Sequence, residues 1–181
     1  MLSLSEIKTG KKILWEGSPF LVMFDQHSKM GRAGAVLRTK LKNLKTGAIM
    51  NKTFQGSEKV ESAEIEEQSA QFLYRENQVF NFMNNQNFEQ FGLPENIIGE
   101  NQRFLKEGAE IKVLYFQNQP INIQLPIKIE LEVVEAPPAI RGNTVDGGSK
   151  QVLLETGAKV TVPLFIKTGD ILRINTETGN Y

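Results

Sequence analysis

The residues with the clearest chemical content stand between positions 27 and 45. His27-Ser28-Lys29-Met30-Gly31-Arg32-Ala33-Gly34 sets one guanidinium among small residues. Arg38, Lys40 and Lys42 follow at every second position, with Lys45 in the next turn and Lys52 in the next strand. Successive side chains of an extended chain point to opposite faces, so Arg38, Lys40 and Lys42 share one. A one-sided row of cations suits the phosphate backbone of a nucleic acid. The same row also describes an ordinary solvated strand face. Gly31 and Gly34 suit a tight turn between two strands. Lys29, Gly31 and Gly34 would then support a tip at Arg32.

Other chemistries have little to work with. The chain has no Cys, so it has no disulfide framework, thiolate nucleophile or Cys-zinc site. Its one His, His27, excludes multi-His metal sites within a single chain and limits a Ser–His–Asp arrangement to one base. Glu64, Glu66 and Glu67 are conceivable acid–base groups, but clustered Glu in a linker-like segment reads as a solvated run. No catalytic residue and no metal ligand is assigned, and the chain is read as a non-enzyme.

The elements that must position the basic row are short strands. Ile127, Ile129, Leu131 and Val133 alternate with Lys128, Glu130 and Glu132, which puts apolar side chains on one face. Similar strands are expected at Phe20–Phe24, Ala35–Leu41, Ala48–Phe54, Gln71–Tyr74, Val79–Met83, Ile111–Phe116, Gln119–Leu125, Lys159–Leu164 and Ile171–Asn175. Turn signals separate them, among them Glu16-Gly17-Ser18-Pro19, Lys45-Thr46-Gly47 and Thr168-Gly169-Asp170. One helix is expected at Glu95–Lys106, opened by Pro94 and stopped by Gly108. The pattern predicts an all-β protein of small barrels or sandwiches.

Charge divides the 181 residues unevenly. The chain carries 21 basic and 21 acidic side chains, a formal charge of zero. Residues 1–60 hold 11 basic and 4 acidic, or +7; residues 61–126 hold 4 and 10, or −6; residues 127–181 hold 6 and 7, or −1. A basic end joined to an acidic remainder points to a polyanionic partner for that end. The sign changes around 57–68, and Pro126 separates two strand-like runs. These mark units of 1–63, 64–126 and 127–181. Units this small are marginal alone. No apolar run approaches the roughly 20 residues that cross a membrane, and Met1–Lys8 is too polar for a signal peptide, so a soluble cytoplasmic protein is expected.

At the basic loop the sequence resembles bacterial elongation factor P. Lys29-Met30-Gly31-Arg32-Ala33-Gly34-Ala35-Val36 and Arg38-Thr39-Lys40-Leu41-Lys42-Asn43-Leu44-Lys45-Thr46-Gly47 look like that family's first domain. Asn81-Phe82-Met83-Asn84-Asn85-Gln86-Asn87-Phe88-Glu89-Gln90 resembles its second, and residues 150–169 and 170–181 its third. The resemblance implies three small β-barrels in an L shape: an SH3-like (KOW-like) domain at 1–63 and OB-fold domains at 64–126 and 127–181. It implies a factor that binds the 70S ribosome between the P and E sites. Such a factor contacts the P-site peptidyl-tRNA and rRNA, and stimulates peptide-bond formation at polyproline stalls.

By the same resemblance Arg32 is the loop tip that reaches toward the peptidyl-transferase centre. It stands there unmodified or carrying a rhamnose added by an Arg-rhamnosyltransferase; no other cofactor is implied. Arg38, Lys40, Lys42 and Lys45 would meet tRNA and rRNA phosphates. Gly142, Asn143 and Thr144 occupy the loop that lies near the E-site mRNA codon in the family. There Asn143 replaces an Asp, keeping an acceptor and losing a charge. The protein is expected to be a monomer. Met30, Ala33-Gly34 and Asn143 leave open a diverged elongation factor P-like paralogue acting on other stalls, and a general RNA-binding OB-fold module is the remaining alternative.

Overall fold

Three sheets account for the chain in the computed structural model, which describes residues 1–29, 34–138 and 148–181, with the backbone alone for Lys29. The first holds β1 (Lys12–Trp15), β2 (Ser18–Lys29), β3 (Ala35–Asn43), β4 (Ile49–Gln55) and β5 (Glu61–Ser62), in the order β4-β3-β2-β1-β5. Glu16 and Gly17 join β1 to β2 with φ of 48° and 73°. Positive φ at both central residues is the geometry whose twist matches that of two antiparallel strands. The inward faces bury Ile13, Phe20, Val22, Leu37, Leu41 and Phe54, closed by Leu4, Ile7 and Val60. Trp15 packs half-buried against this core. A single bridge between Leu2 and Val60 ties down the N-terminus.

The second sheet holds β6 (Glu66–Glu76), β7 (Val79–Asn84), β8 (Gln90–Pro94), β9 (Glu110–Phe116) and β10 (Gln119–Gln124), in the order β10-β9-β6-β7-β8. Phe72 meets Phe80 and Phe82 with ring centroids 5.8 and 5.4 Å apart, and Phe82 stacks on Phe91 at 5.6 Å. The helix expected at Glu95–Lys106 is a correction. The α-helix α1 covers only Glu95–Ile98, and a 3-10 segment continues over Gly99–Phe104. Gly99 breaks it, with φ 56° and ψ −136°, far from helical backbone. Of the apolar residues Ile97, Ile98, Phe104 and Leu105, whose spacing suggests one helix face, the last three are buried and Ile97 is half-buried.

The third sheet holds β11 (Lys128–Glu135), β12 (Ser149–Leu154), β13 (Lys159–Pro163) and β14 (Ile171–Asn175), in the order β13-β12-β11-β14. Leu131, Val133, Val152, Leu154, Leu172 and Ile174 fill its inner face. Ile127, expected to share the buried face, lies before β11 and is 55% exposed. Glu155, just after β12, accepts the Glu132 N–H at 3.0 Å and the Lys106 ammonium at 2.9 Å. Burial alone would raise its pKa, but these two bonds outweigh it and hold the carboxyl below the ordinary glutamate value. The Thr156 hydroxyl donates to the Arg103 carbonyl at 2.6 Å.

Packing divides the described chain into two compact units. One is Met1–Gln68, Leu93–Gly99 and Val113–Ile123; the other is Ser69–Gly92, Glu100–Lys112 and Gln124–Tyr181. Within the first, Leu44 joins Leu114, Phe116 and Ile121 in a separate apolar cluster. The buried Asn122 amide donates to the Leu44 carbonyl at 3.2 Å. Among the described residues no helix is long and apolar enough to cross a membrane.

Candidate nucleic-acid interface

β2 and β3 form the hairpin on which the basic residues stand. They are antiparallel and paired as far as Lys29 opposite Ala35. Gly34, at φ 82°, has a backbone that a β-carbon would strain. The Gly56 N–H, just past β4, donates to the Ala35 carbonyl at 2.9 Å, so a third strand braces the loop end of the hairpin. Met30, Gly31, Arg32 and Ala33 lie outside the described residues. So do Gly142, Asn143 and Thr144.

Alternation along β3 does what its spacing requires. Leu37, Thr39 and Leu41 are buried, and the Thr39 hydroxyl donates to the Lys52 carbonyl at 2.8 Å. Arg38 and Lys40 are exposed on the other face, and Lys42 on that face is half-buried. A strand advances about 3.4 Å per residue, so neighbours in the row are about 6.8 Å apart. Among the described residues no carboxylate pairs with Arg38, Lys40 or Lys42.

The other basic residues of this region behave differently. The Lys45 ammonium stands over the Phe116 ring, 5.1 Å from its centroid. Lys52 faces the core side of β4, with its ammonium 4.9 Å from the Trp15 ring centroid and 5.5 Å from that of Phe54. Lys12 pairs with Glu67 at 2.9 Å. Glu64 and Glu66 are exposed and line a shallow hollow with Leu14, Tyr115 and Phe116.

A β-bulge decides what accompanies the row. Val22 pairs with Leu41 and Phe24 with Lys40, leaving Met23 as an extra residue on β2. Before the bulge Phe20 and Val22 face the core. After it, Phe24 faces outward beside Lys40 and is 53% exposed. Asp25 turns to the side of Thr39, where its carboxylate accepts the Thr9 hydroxyl at 2.6 Å and the Thr9 N–H at 2.7 Å. Those bonds, the hydroxyl first, hold Asp25 below the ordinary aspartate value. His27 Nε2 lies 3.6 Å from the same carboxylate, which places the one histidine in this supporting group. Phe24 carries no sequence signal as a surface residue. Unbroken alternation from Phe20 and Val22 would put it in the core.

Among the described residues no group of three or more His, Asp or Glu could hold a metal ion. The described interface therefore offers cations at strand spacing, one exposed ring, and neutral hydrogen-bonding side chains at Gln26, Asn51 and Thr53 in register with them. That set can bind phosphates and contact bases.

Family models match three successive stretches of the chain. Residues 3–60 match the elongation factor P KOW-like domain, residues 65–123 the elongation factor P OB domain, and residues 129–181 the elongation factor P C-terminal domain. Elongation factor P of Pelotomaculum thermopropionicum is 42% identical over 181 residues, covering 100% of this chain and 98% of that protein. That of Thermotoga maritima is 40% identical, with 100% and 98% covered. Among solved structures, eukaryotic translation initiation factor 5A from Methanococcus jannaschii superposes with a TM-score of 0.52 at 23% identity, covering 68% of this chain and 93% of that one. This last likeness concerns the fold, which is all-β.

Proposed function

The chain belongs to the elongation factor P family of translation elongation factors, and from that premise we propose that it works as a non-catalytic RNA-binding arm on the ribosome. The arm is the β2–β3 hairpin. It lies between the P and E sites and directs Arg32 toward the acceptor end of the P-site peptidyl-tRNA. Arg38, Lys40 and Lys42 hold tRNA and rRNA phosphates, with Lys45 at the end of the row. The observation that carries this reading is the outward cation row, without carboxylate partners among the described residues, on a hairpin braced by β4.

The work to be done is positional. Proline has no N–H and a fixed φ, so consecutive prolines orient poorly for peptide-bond formation. Holding two reactants in a productive geometry recovers rate without a new chemical group. An arm that steadies the tRNA acceptor end relieves polyproline stalls in this way, and needs no catalytic residue. Arg suits the tip because its planar fork binds phosphate or stacks on a base. Arg32 carries a rhamnose from an Arg-rhamnosyltransferase or acts unmodified. Gly142, Asn143 and Thr144 face the E-site codon. The domains are 1–63, 64–126 and 127–181, and the protein acts as a cytoplasmic monomer.

Translation of a proline-run reporter, with and without the protein, tests this. Relief of stalling is expected, and Arg32→Ala abolishes it while the fold persists. No relief by protein from the native host would overturn the reading. Intact mass of that protein decides the rhamnose: an unmodified mass removes it.

A further inference from the structure

The geometry points to Phe24 as a stacking seat for one unpaired RNA base, set within the row of phosphate-binding cations. This rests on the RNA-binding reading above and adds to it a contact that charge alone does not supply. Phe24 stands directly opposite Lys40 on the neighbouring strand, and Gln26 opposite Arg38. Directly paired side chains on one face lie within about 5.5 Å at Cβ. The ring is thus flanked by cations two residues apart on β3. On the far side of the row, Asn51 pairs with Lys40 and Thr53 with Arg38, offering uncharged donors and acceptors to a base edge.

Half of the Phe24 surface meets water, whereas the other phenylalanines of this sheet, Phe20 and Phe54, are buried. The bulge at Met23 is what turns it out. An aromatic face amid cations is the arrangement that binds single strands, because every base has a π-face and an unpaired one can expose it. A duplex hides its base faces, so the seat selects unpaired nucleotides. The one carboxylate near the ring in sequence, Asp25, is turned to the opposite face and held by Thr9. It does not repel a phosphate from this one.

The test uses the full chain and two labelled RNA probes, an oligoadenylate octamer and a blunt-ended duplex, in fluorescence anisotropy over a salt series. Phe24→Ala weakens octamer binding by about fivefold to a hundredfold, the range of one base–aromatic stack, and leaves both the duplex affinity and the salt slope unchanged. Phe24→Trp binds the octamer at least as tightly as the parent. Lys40→Ala lowers the salt slope on both probes. Circular dichroism of each variant matches the parent, since the side chain is outside the core. Unchanged octamer affinity in Phe24→Ala overturns the stacking seat while Lys40→Ala still reports RNA binding. Phe24→Leu equal to Phe24→Trp also overturns it, because a merely apolar contact, such as a protein partner makes, would suffice. If the parent binds neither probe with a salt-dependent affinity, the RNA-binding reading falls and the seat with it.

Discussion

Arg38→Ala and Lys40→Ala remove charge from the interface without removing packing. Both side chains are exposed, and their strand neighbours Leu37, Thr39 and Leu41 make the core contacts instead. Each cation that neutralises a phosphate contributes about 0.9 to the slope of log affinity against log salt on a duplex, and about 0.7 on a single strand. Raising salt from about 50 to about 200 mM then costs about 2.6- to 3.5-fold in affinity per contact. The double variant should lose a slope of about 1.4 to 1.8, which is about seven- to twelvefold less salt sensitivity over that interval. Lys45→Ala should also reduce the slope, but unlike the row it should lower stability as well, by about 0.5–1 kcal/mol, because its ammonium sits on the Phe116 ring. Ribosome or tRNA binding at four or five salt concentrations gives the slopes, and urea denaturation gives the stabilities. Parental slopes in both single variants and in the double would refute the assignment of this face to phosphates.

Three further outcomes follow from the packing. Leu41→Ala, at 0% exposure in the first core, should cost about 2–5 kcal/mol in urea denaturation, and a loss under 1 kcal/mol would mean that the site collapses around the gap. Asp25 is held below its ordinary 3.8, so its contribution is present above that pH and is lost as the pH falls below it. Thr9→Val removes the hydroxyl that is the largest cause of this, so its stability should fall less steeply than the parent's as the pH drops below 3.8; parallel curves would contradict the sign. Glu155→Ala should destabilise more than Lys106→Ala, since it strands the Glu132 N–H as well as the ammonium, whereas the partly exposed pair alone is worth about 1 kcal/mol. Equal losses in the two variants would show that the Glu132 bond adds nothing.

Much of the fold was legible because its strands alternate cleanly. β3, β7, β9 and β14 fall where period two places them, and the outward set Arg38, Lys40 and Lys42 is as the spacing requires. Four strands were not legible. β1 (Lys12–Trp15), β8 (Gln90–Pro94) and β12 (Ser149–Leu154) lack sustained alternation, and β5 is only Glu61–Ser62, inside a charged run. The helix failed at Gly99 because periodicity reports which side chains are buried and not whether the backbone between them stays helical. Phe24 was missed for a related reason. A bulge leaves no mark in the residue types, so parity carried forward from Phe20 assigns every later residue of β2 to the wrong face. Lys45 and Lys52 share composition with the row but are drawn to aromatic rings, which only the three-dimensional neighbours reveal.

The extra residue in β2 also sets how the strand tolerates a change of length. A deletion within a regular strand turns over every side chain on one side of the cut and would exchange the cation row's companions for core residues. Loss of Met23 is different. Val22 would still meet Leu41 and Phe24 would still meet Lys40, because Met23 is the one residue between them without a partner. The hairpin that carries Arg32 thus has a spare residue in its stem. Removing it would leave every cross-strand pair from Lys40 to Ala35, and so the hairpin's reach, as it is, while the two faces keep their separate duties.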